Sequence, residues 1–118
     1  MKYFKISEFD DPTEPGTGML MDVGLLDMLE EVRERCGFPF IITSGYRSPS
    51  HNREVGGKAN SDHVTGNAVD IAISTGTQRF LIVKHALEVG FRRIGVKKNC
   101  VHLGNSVVLP QDVLWTYD

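Results

Sequence analysis

Residues 22–36, DVGLLDMLEEVRERC, place leucine, methionine and valine three or four positions apart, with glutamate and arginine between them. This spacing gives one apolar and one polar face, which is typical of an amphipathic helix beside a core. Asp22 can cap the first turn, and Gly37 can end the helix in the left-handed conformation. A second helix is predicted from the capping box Thr75-Gly76-Thr77-Gln78 to about Val89.

Four shorter segments have the apolar and β-branched composition that is typical of strands: residues 38–43, 68–73, 91–96 and 100–109. The first is expected to be a buried strand, and the last two are expected to be joined by a polar turn. Helices and short strands in this order predict an α+β fold, with a small, mainly antiparallel sheet and helices on one face. Residues 1–118 are expected to form one domain, because this length supports a single core.

Two of these strands hold a polar residue in the middle of a face made of small side chains. In residues 68–73, alternation puts Asp70 between two alanines and places the valine and isoleucines on the opposite side. In the segment 100–109, His102 shares its side with a cysteine and a glycine. The space above Asp70 and His102 suits a metal ligand, so a metal site is expected on the open face of the sheet.

The composition narrows the classes of function. Charges are nearly balanced, with a net charge of -2 and a pI near 6.1, whereas nucleic-acid-binding domains usually carry clustered lysine and arginine. No apolar run reaches membrane-spanning length, and the first residues lack the apolar core of a signal peptide, so synthesis in the cytoplasm is expected. Cys36 and Cys100 are then expected to be reduced. No pattern in the sequence sets an oligomeric state.

Residues 41–73 bring Arg47, His63 and Asp70 into one glycine-rich stretch between two apolar runs. Catalytic zinc is usually held by three protein ligands with a water in the fourth position, and His63, Asp70 and His102 offer a suitable set of nitrogen and carboxylate donors. Zinc of this kind lowers the pKa of its water to about 7. Because the spacing of His63 and Asp70 is not that of a helical pair and arises often by chance, spacing alone leaves open a zinc site or a structural pair.

Three motifs in order carry a resemblance to a known family. Residues 61–70, SDHVTGNAVD, resemble the SxHxxGxAxD signature of the zinc D-alanyl-D-alanine carboxypeptidase and murein endopeptidase family. Residues 43–48, TSGYRS, resemble its upstream SGYRS turn, and residues 101–103, VHL, its downstream histidine strand. The similarity runs from about Phe4 to Trp115, and the chain is similar in particular to the compact single-domain members found in bacteriophage genomes and among bacterial cell-wall enzymes.

The resemblance implies a role for each matching residue. His63, Asp70 and His102 would hold Zn²⁺, and Arg47 would stabilise an oxyanion or bind a substrate carboxylate. Ser61 would hydrogen-bond substrate or brace its loop. The implied substrate is a peptidoglycan stem peptide or cross-link, and the implied setting is the cell wall after release of the protein, as for a phage lytic enzyme or endolysin.

One departure from the family pattern concerns the general base. Many relatives carry an acid two residues after the strand histidine or three before it, whereas this chain has Gly104 and Asn99 there. General acid–base help is typically worth about 10²–10⁴ in rate, so its loss would weaken hydrolysis without abolishing it. Three side chains are candidate substitutes that no motif places, and they are Asp62, Asp112 and His51.

Structural readings and other functions stand beside this hypothesis. Arg47 can tie its turn to a carboxylate, Ser61 can serve only as a loop brace, and His102 can be a satisfied core histidine. A different class of function is a zinc-stabilised binding or assembly module without peptidase activity, as in the Hedgehog signalling domain, which shares this type of zinc fold. A third reading is a hydrolase for small peptides of L-amino acids.

Overall fold

The computed structural model describes residues 1–117, and it has the predicted α+β architecture. Two 3-10 helices, Ile6–Phe9 and Thr17–Leu20, occupy the amino-terminal segment. The remaining elements are α1 (Val23–Cys36), β1 (Ile42–Ser44), α2 (Pro49–Glu54), β2 (Ala68–Ala72), α3 (Gly76–Val89), β3 (Arg93–Val96), β4 (Cys100–Gly104) and β5 (Val113–Thr116). Within residues 1–117, no helix is long and apolar enough to cross a membrane.

The predicted helix ends are confirmed by their caps. Asp22 accepts a hydrogen bond from the backbone N–H of Leu25 at 2.9 Å, and Gly37 has a φ of 75°. The α3 helix begins as the capping box requires, because the Thr75 hydroxyl accepts from the N–H of Gln78 at 3.1 Å. The Gln78 side chain reaches one residue further than expected and accepts from the N–H of Ser74 at 2.7 Å.

The five strands form one sheet in the order β1-β2-β4-β3-β5. Three of the four pairings are antiparallel, and β5 joins β3 in parallel, so the sheet is mixed but mainly antiparallel. In the β2–β4 pairing, Asp70 lies opposite His102 and Ala68 lies opposite Gly104. The two faces that sequence alternation predicted as small-sided are therefore one continuous face.

The hydrophobic core lies on the other side of the sheet. Alternate residues of β2 and β4 contribute to it, namely Val69, Ile71, Val101 and Leu103, all completely buried. Helices α1 and α3 add apolar residues from their inward faces, including Leu25, Leu29, Val32, Ile82 and Ala86. Because the apolar side chains of β2 and β4 face the helices, the polar face of these two strands is left open, as predicted.

The prediction of a buried strand at residues 38–43 is wrong, because the strand begins later in the chain and its residues are not buried. Only Ile42–Ser44 is extended, and it is an edge strand in which Thr43 is exposed. The apolar character of the preceding residues has another cause. Phe38 and Phe40 pack with ring centroids 5.5 Å apart, and Phe40 also contacts Phe4, so they form an irregular aromatic cluster.

The carboxyl-terminal third also differs from expectation. The strand predicted over residues 100–109 ends at Gly104, and Val107 and Val108 are exposed. Trp115 belongs to an unpredicted fifth strand, Val113–Thr116, and its ring centroid lies 5.2 Å from that of His102 on the open face. This strand has only half-buried and exposed residues at the sheet edge, so its sequence lacks the apolar alternation of an interior strand.

Candidate metal centre

Strands β2 and β4 bring two of the candidate ligands together at the centre of the open face. The Nδ1 atom of His102 lies 3.0 Å from the Oδ1 atom of Asp70. His63 comes from the turn before β2, and its Nε2 atom lies 3.2 Å from the same oxygen. The candidate ligand atoms of these three residues all lie within 4.8 Å of one another, so the group could hold a metal ion.

The His63 ring is oriented from behind by the backbone. Its Nδ1 atom lies 2.9 Å from the carbonyl oxygen of Gly45, and a carbonyl can only accept a hydrogen bond. In the neutral ring the proton therefore resides on Nδ1, and Nε2 keeps a lone pair directed at Asp70. A backbone acceptor of this kind is the usual outer partner of a metal-ligating histidine.

The charges at the centre stabilise one another. Burial lowers the pKa of His102, but the adjacent carboxylates of Asp62 and Asp70 outweigh burial and raise it to about 9. Burial raises the pKa of Asp70, yet its contacts with His102 and His63 outweigh burial and hold this pKa well below its ordinary value. Two imidazoles around an ionised carboxylate form a nitrogen and oxygen donor set that suits zinc.

Arg47 lies beside this group and is held on its far side. Its guanidinium donates to Asn52 Oδ1 at 3.0 Å and to Ser44 Oγ at 3.2 Å, and its Nη2 atom lies 3.9 Å from Asp70 Oδ2. Ser61 accepts a hydrogen bond from the backbone N–H of His63 at 3.3 Å, which braces the loop. The structure thus brings both predicted residues to the centre and gives each a structural contact.

The amino-terminal segment fixes the turn that carries Arg47. Asp11 is completely buried, and its carboxylate accepts from the backbone N–H of Ser48 at 2.6 Å. The N–H of Tyr46 donates to the carbonyl oxygen of Phe9 at 2.9 Å. Gly45 permits this approach, because a Cβ atom there would lie 2.7 Å from the Phe9 backbone. The irregular start of the chain is therefore part of the scaffold of the site.

The three candidate ligands lie in a cleft of about 980 Å³. We call one side the loop wall, formed by Arg47 and residues 55–58 and 60–63. The opposite side is the strand wall, formed by Leu109, Pro110, Val113, Trp115, Thr116 and Tyr117. The ring centroid of Trp115 lies 5.2 Å from that of His102, so the strand wall reaches the candidate metal centre directly.

Only one of the three candidate substitutes for the general base lies in the cleft. This residue is Asp62, which is 3% exposed. Its Oδ1 atom lies 2.9 Å from His102 Nε2, but it is not aligned with the N–H bond. Its Oδ2 atom accepts a hydrogen bond from Arg93 Nε at 3.0 Å. Burial raises the pKa of Asp62, but these two partners outweigh burial and lower it. Asp112 is exposed and paired with Arg92, and His51 lies on α2 outside the cleft.

Sequence reasoning missed three basic residues of the cleft, Lys58, Arg93 and Lys97. Arg93 lies opposite Gly104 in the β3–β4 pairing, and Gly95 lies opposite His102. Alternation along the predicted strand 91–96 already puts Arg93 and Gly95 on one side, so the register of this hairpin was the signal that could have found Arg93. Lys97 lies in the turn after β3, where its amino group stacks 4.2 Å from the Tyr117 ring centroid.

Comparison with known proteins places the chain in a family. A family model described as Peptidase M15 matches residues 2–104, which include every candidate ligand and Arg47. No curated protein matches the chain. Peptidases of this family depend on zinc, and the chain has a group of two histidines and an aspartate that could bind such an ion. The chain belongs to the peptidase M15 family of zinc D-alanyl-D-alanine carboxypeptidase type.

Proposed function

We propose that this protein is a zinc peptidase that hydrolyses peptide bonds in peptidoglycan stem peptides or their cross-links. The observation that carries the proposal is the convergence of His63, Asp70 and His102 within 4.8 Å at the base of an open cleft. Family membership supports the reaction class, because peptidase M15 members are zinc metallopeptidases.

His63, Asp70 and His102 are the proposed zinc ligands, through Nε2, a carboxylate oxygen and Nδ1. When bound, zinc polarises a peptide carbonyl and makes water acidic enough to supply hydroxide near neutral pH. The protein itself keeps the donors ready for the ion. Gly45 fixes the ring of His63, and antiparallel pairing fixes Asp70 opposite His102.

Arg47 is the proposed electrophilic residue of the site. Its guanidinium is anchored to Asn52 and Ser44, so its planar donor set stays directed at the cleft beside Asp70. A fixed cation there stabilises the oxyanion that develops on a scissile carbonyl, or binds a terminal substrate carboxylate. For Ser61 we propose a substrate contact in addition to its bond to the His63 backbone.

The charge of the cleft supports an acidic peptide as substrate. Four basic side chains line it, Arg47, Lys58, Arg93 and Lys97, against two acidic ones, Asp62 and Asp70. Because Asp70 is a proposed zinc ligand and Asp62 is paired with Arg93, the free balance is positive. Stem peptides carry free carboxylates, so a cell-wall substrate fits, and a phage lytic role after release from the cell follows from the same proposal.

The test measures zinc content and peptide release from purified cell walls for the wild type, His63→Ala and His85→Ala. His85 lies on α3 outside the cleft, so its variant is the matched control. We expect the wild type and His85→Ala to bind one zinc and release peptides, and His63→Ala to lose both properties. Full wall hydrolysis by zinc-free His63→Ala would refute the proposal.

A zinc-stabilised binding module is the second candidate, and the bonds of Asp62 favour it. Among residues 1–117, Asp62 and Asp70 are the acids that line the cleft, and both oxygens of Asp62 face Arg93 or His102. Neither acid is then free to move protons. Chelator-sensitive hydrolysis of a synthetic stem peptide would exclude this candidate, and matched D- and L-configured peptides would separate a wall enzyme from a hydrolase of ordinary small peptides.

A further inference from the structure

The Asp62 carboxylate fills space next to a strand position that has no side chain. Gly104 lies on the open face of β4, two residues after His102. A Cβ atom at Gly104 would lie 2.1 Å from Asp62 Oδ2. The φ of Gly104 is not in the left-handed region, so the glycine is required by this contact rather than by the backbone.

We propose that Asp62 is a positioning residue of the metal centre, which holds the His102 ring from its Nε2 edge within the volume left by Gly104. The inference rests on the proposed function in one respect, that His102 is a zinc ligand through Nδ1. Asp62 does not touch the metal or the substrate in this role.

The burial of His102 explains why such a residue is needed. Nδ1 faces Asp70, while Nε2 is fully buried and makes no aligned hydrogen bond among residues 1–117. Asp62 Oδ1, at 2.9 Å, is its ionic partner. A histidine ligand whose second nitrogen faces a carboxylate is fixed in tautomer and orientation, and removing such a partner typically costs about 10–100-fold in metal affinity.

Arg93 holds the carboxylate in turn. Its Nε atom donates to Asp62 Oδ2 at 3.0 Å, and its Nη1 atom donates to the carbonyl oxygen of Pro110 at 2.7 Å. Its guanidinium also stacks over Trp115, 5.2 Å from the ring centroid. A buried carboxylate needs such a paired charge, and this pairing places both oxygens at fixed positions on the His102 side of the cleft.

The test moves the carboxylate from one side of this contact to the other. Zinc affinity and the visible spectrum of the cobalt-substituted protein are measured for the wild type, Asp62→Ala, Gly104→Asp and the double variant Asp62→Ala/Gly104→Asp. Asp112→Ala removes an exposed aspartate paired with Arg92 and is the matched control. Thermal unfolding of each zinc-free protein separates positioning from loss of the fold.

We expect Asp62→Ala to bind zinc about 10–100-fold more weakly with an altered cobalt spectrum. Gly104→Asp alone is destabilised by the clash with Asp62, and the double variant recovers affinity to within about threefold of the wild type. If Asp62→Ala is unfolded, the double variant alone decides. Unchanged zinc affinity in folded Asp62→Ala, or a double variant that is unfolded or no better than Asp62→Ala, overturns the inference. A wild type that binds no zinc would instead refute the proposed function.

Discussion

The loop wall and the strand wall of the cleft are built in different ways. The loop wall is fixed by two buried hydrogen bonds, one from the backbone N–H of Ser48 to the Asp11 carboxylate and one from His63 Nδ1 to the Gly45 carbonyl oxygen. The strand wall consists of the edge strand β5, whose residues are half-buried or exposed, and of residues that flank it. All of it comes after residues 2–104, which the family model matches. We therefore expect the loop wall to hold the reacting groups in a rigid orientation and the strand wall to contact the body of the substrate.

The largest expected effect comes from the loop wall. Arg47→Ala removes a fixed cation from the oxyanion position, so kcat should fall about 10²–10³-fold while one zinc remains bound. Steady-state kinetics and zinc content measure the two effects. Arg92→Ala, which removes an exposed arginine paired with Asp112, is the control. An unchanged kcat for Arg47→Ala would reduce this residue to a structural tie of its turn.

The packing behind the loop wall gives the next effect. Gly66 has a φ of 74°, and a Cβ atom there would lie 2.3 Å from the Leu20 carbonyl oxygen. Gly56 has nearly the same φ, 75°, with no atom within 4 Å of its Cβ position. Both alanine variants carry left-handed strain, but Gly66→Ala adds a backbone clash and should lose about 1–3 kcal/mol more stability. Equal urea midpoints for the two variants would contradict this prediction, because they would show that the Leu20–Met21 backbone shifts away from the added Cβ atom without loss of stability.

The strand wall should respond in binding rather than in chemistry. Trp115→Ala removes the largest apolar surface opposite the loop wall, so KM should rise about tenfold with kcat and zinc affinity little changed. Leu114→Ala, the exposed neighbour that does not line the cleft, should leave KM unchanged. A loss confined to kcat would mean that the strand wall also orients reacting groups, which would remove the contrast between the walls.

The smallest effect concerns the anchor at Asp11 and depends on pH. Burial raises its pKa, but hydrogen bonds from Thr13 and Ser48 outweigh burial and lower it to about 2. A lowered pKa stabilises the fold above the ordinary value of 3.8, and this stabilisation is lost as pH falls toward 2. Asp11→Asn should therefore lower the free energy of unfolding by about 1 kcal/mol at neutral pH. The difference from the wild type should vanish in acid, and a constant difference down to low pH would contradict this account.

The sequence was informative where local pattern and side-chain chemistry coincide. Alternation along residues 68–73 separated Asp70 from the core, and caps at Asp22 and Gly37 marked α1 within a residue. Residues 38–43 were misread, because aromatic side chains that pack on Phe4 have the same composition as a buried strand. Strand β5 left no signal, since an edge strand needs only backbone pairing.

The relation between Asp62 and Gly104 was beyond sequence reasoning for a different physical reason. A glycine in a strand has no side chain to indicate a partner, and Asp62 lies next to a candidate ligand where a loop residue usually faces solvent. Only the β2–β4 register and the turn before β2 bring the two together. From the sequence, Gly104 left the site without an acid at that position, and Asp62 was one of three candidate substitutes that no motif placed. In the structure the Asp62 carboxylate lies beside His102.

Anomalous diffraction at the zinc absorption edge tests the identity of the three metal ligands most directly. Crystals of the zinc-loaded protein should show one strong anomalous peak in contact with His63 Nε2, an Asp70 carboxylate oxygen and His102 Nδ1. A peak only at Cys36 or Cys100, or no peak between strands β2 and β4 and the loop wall, would contradict the proposed metal centre and the peptidase function that depends on it.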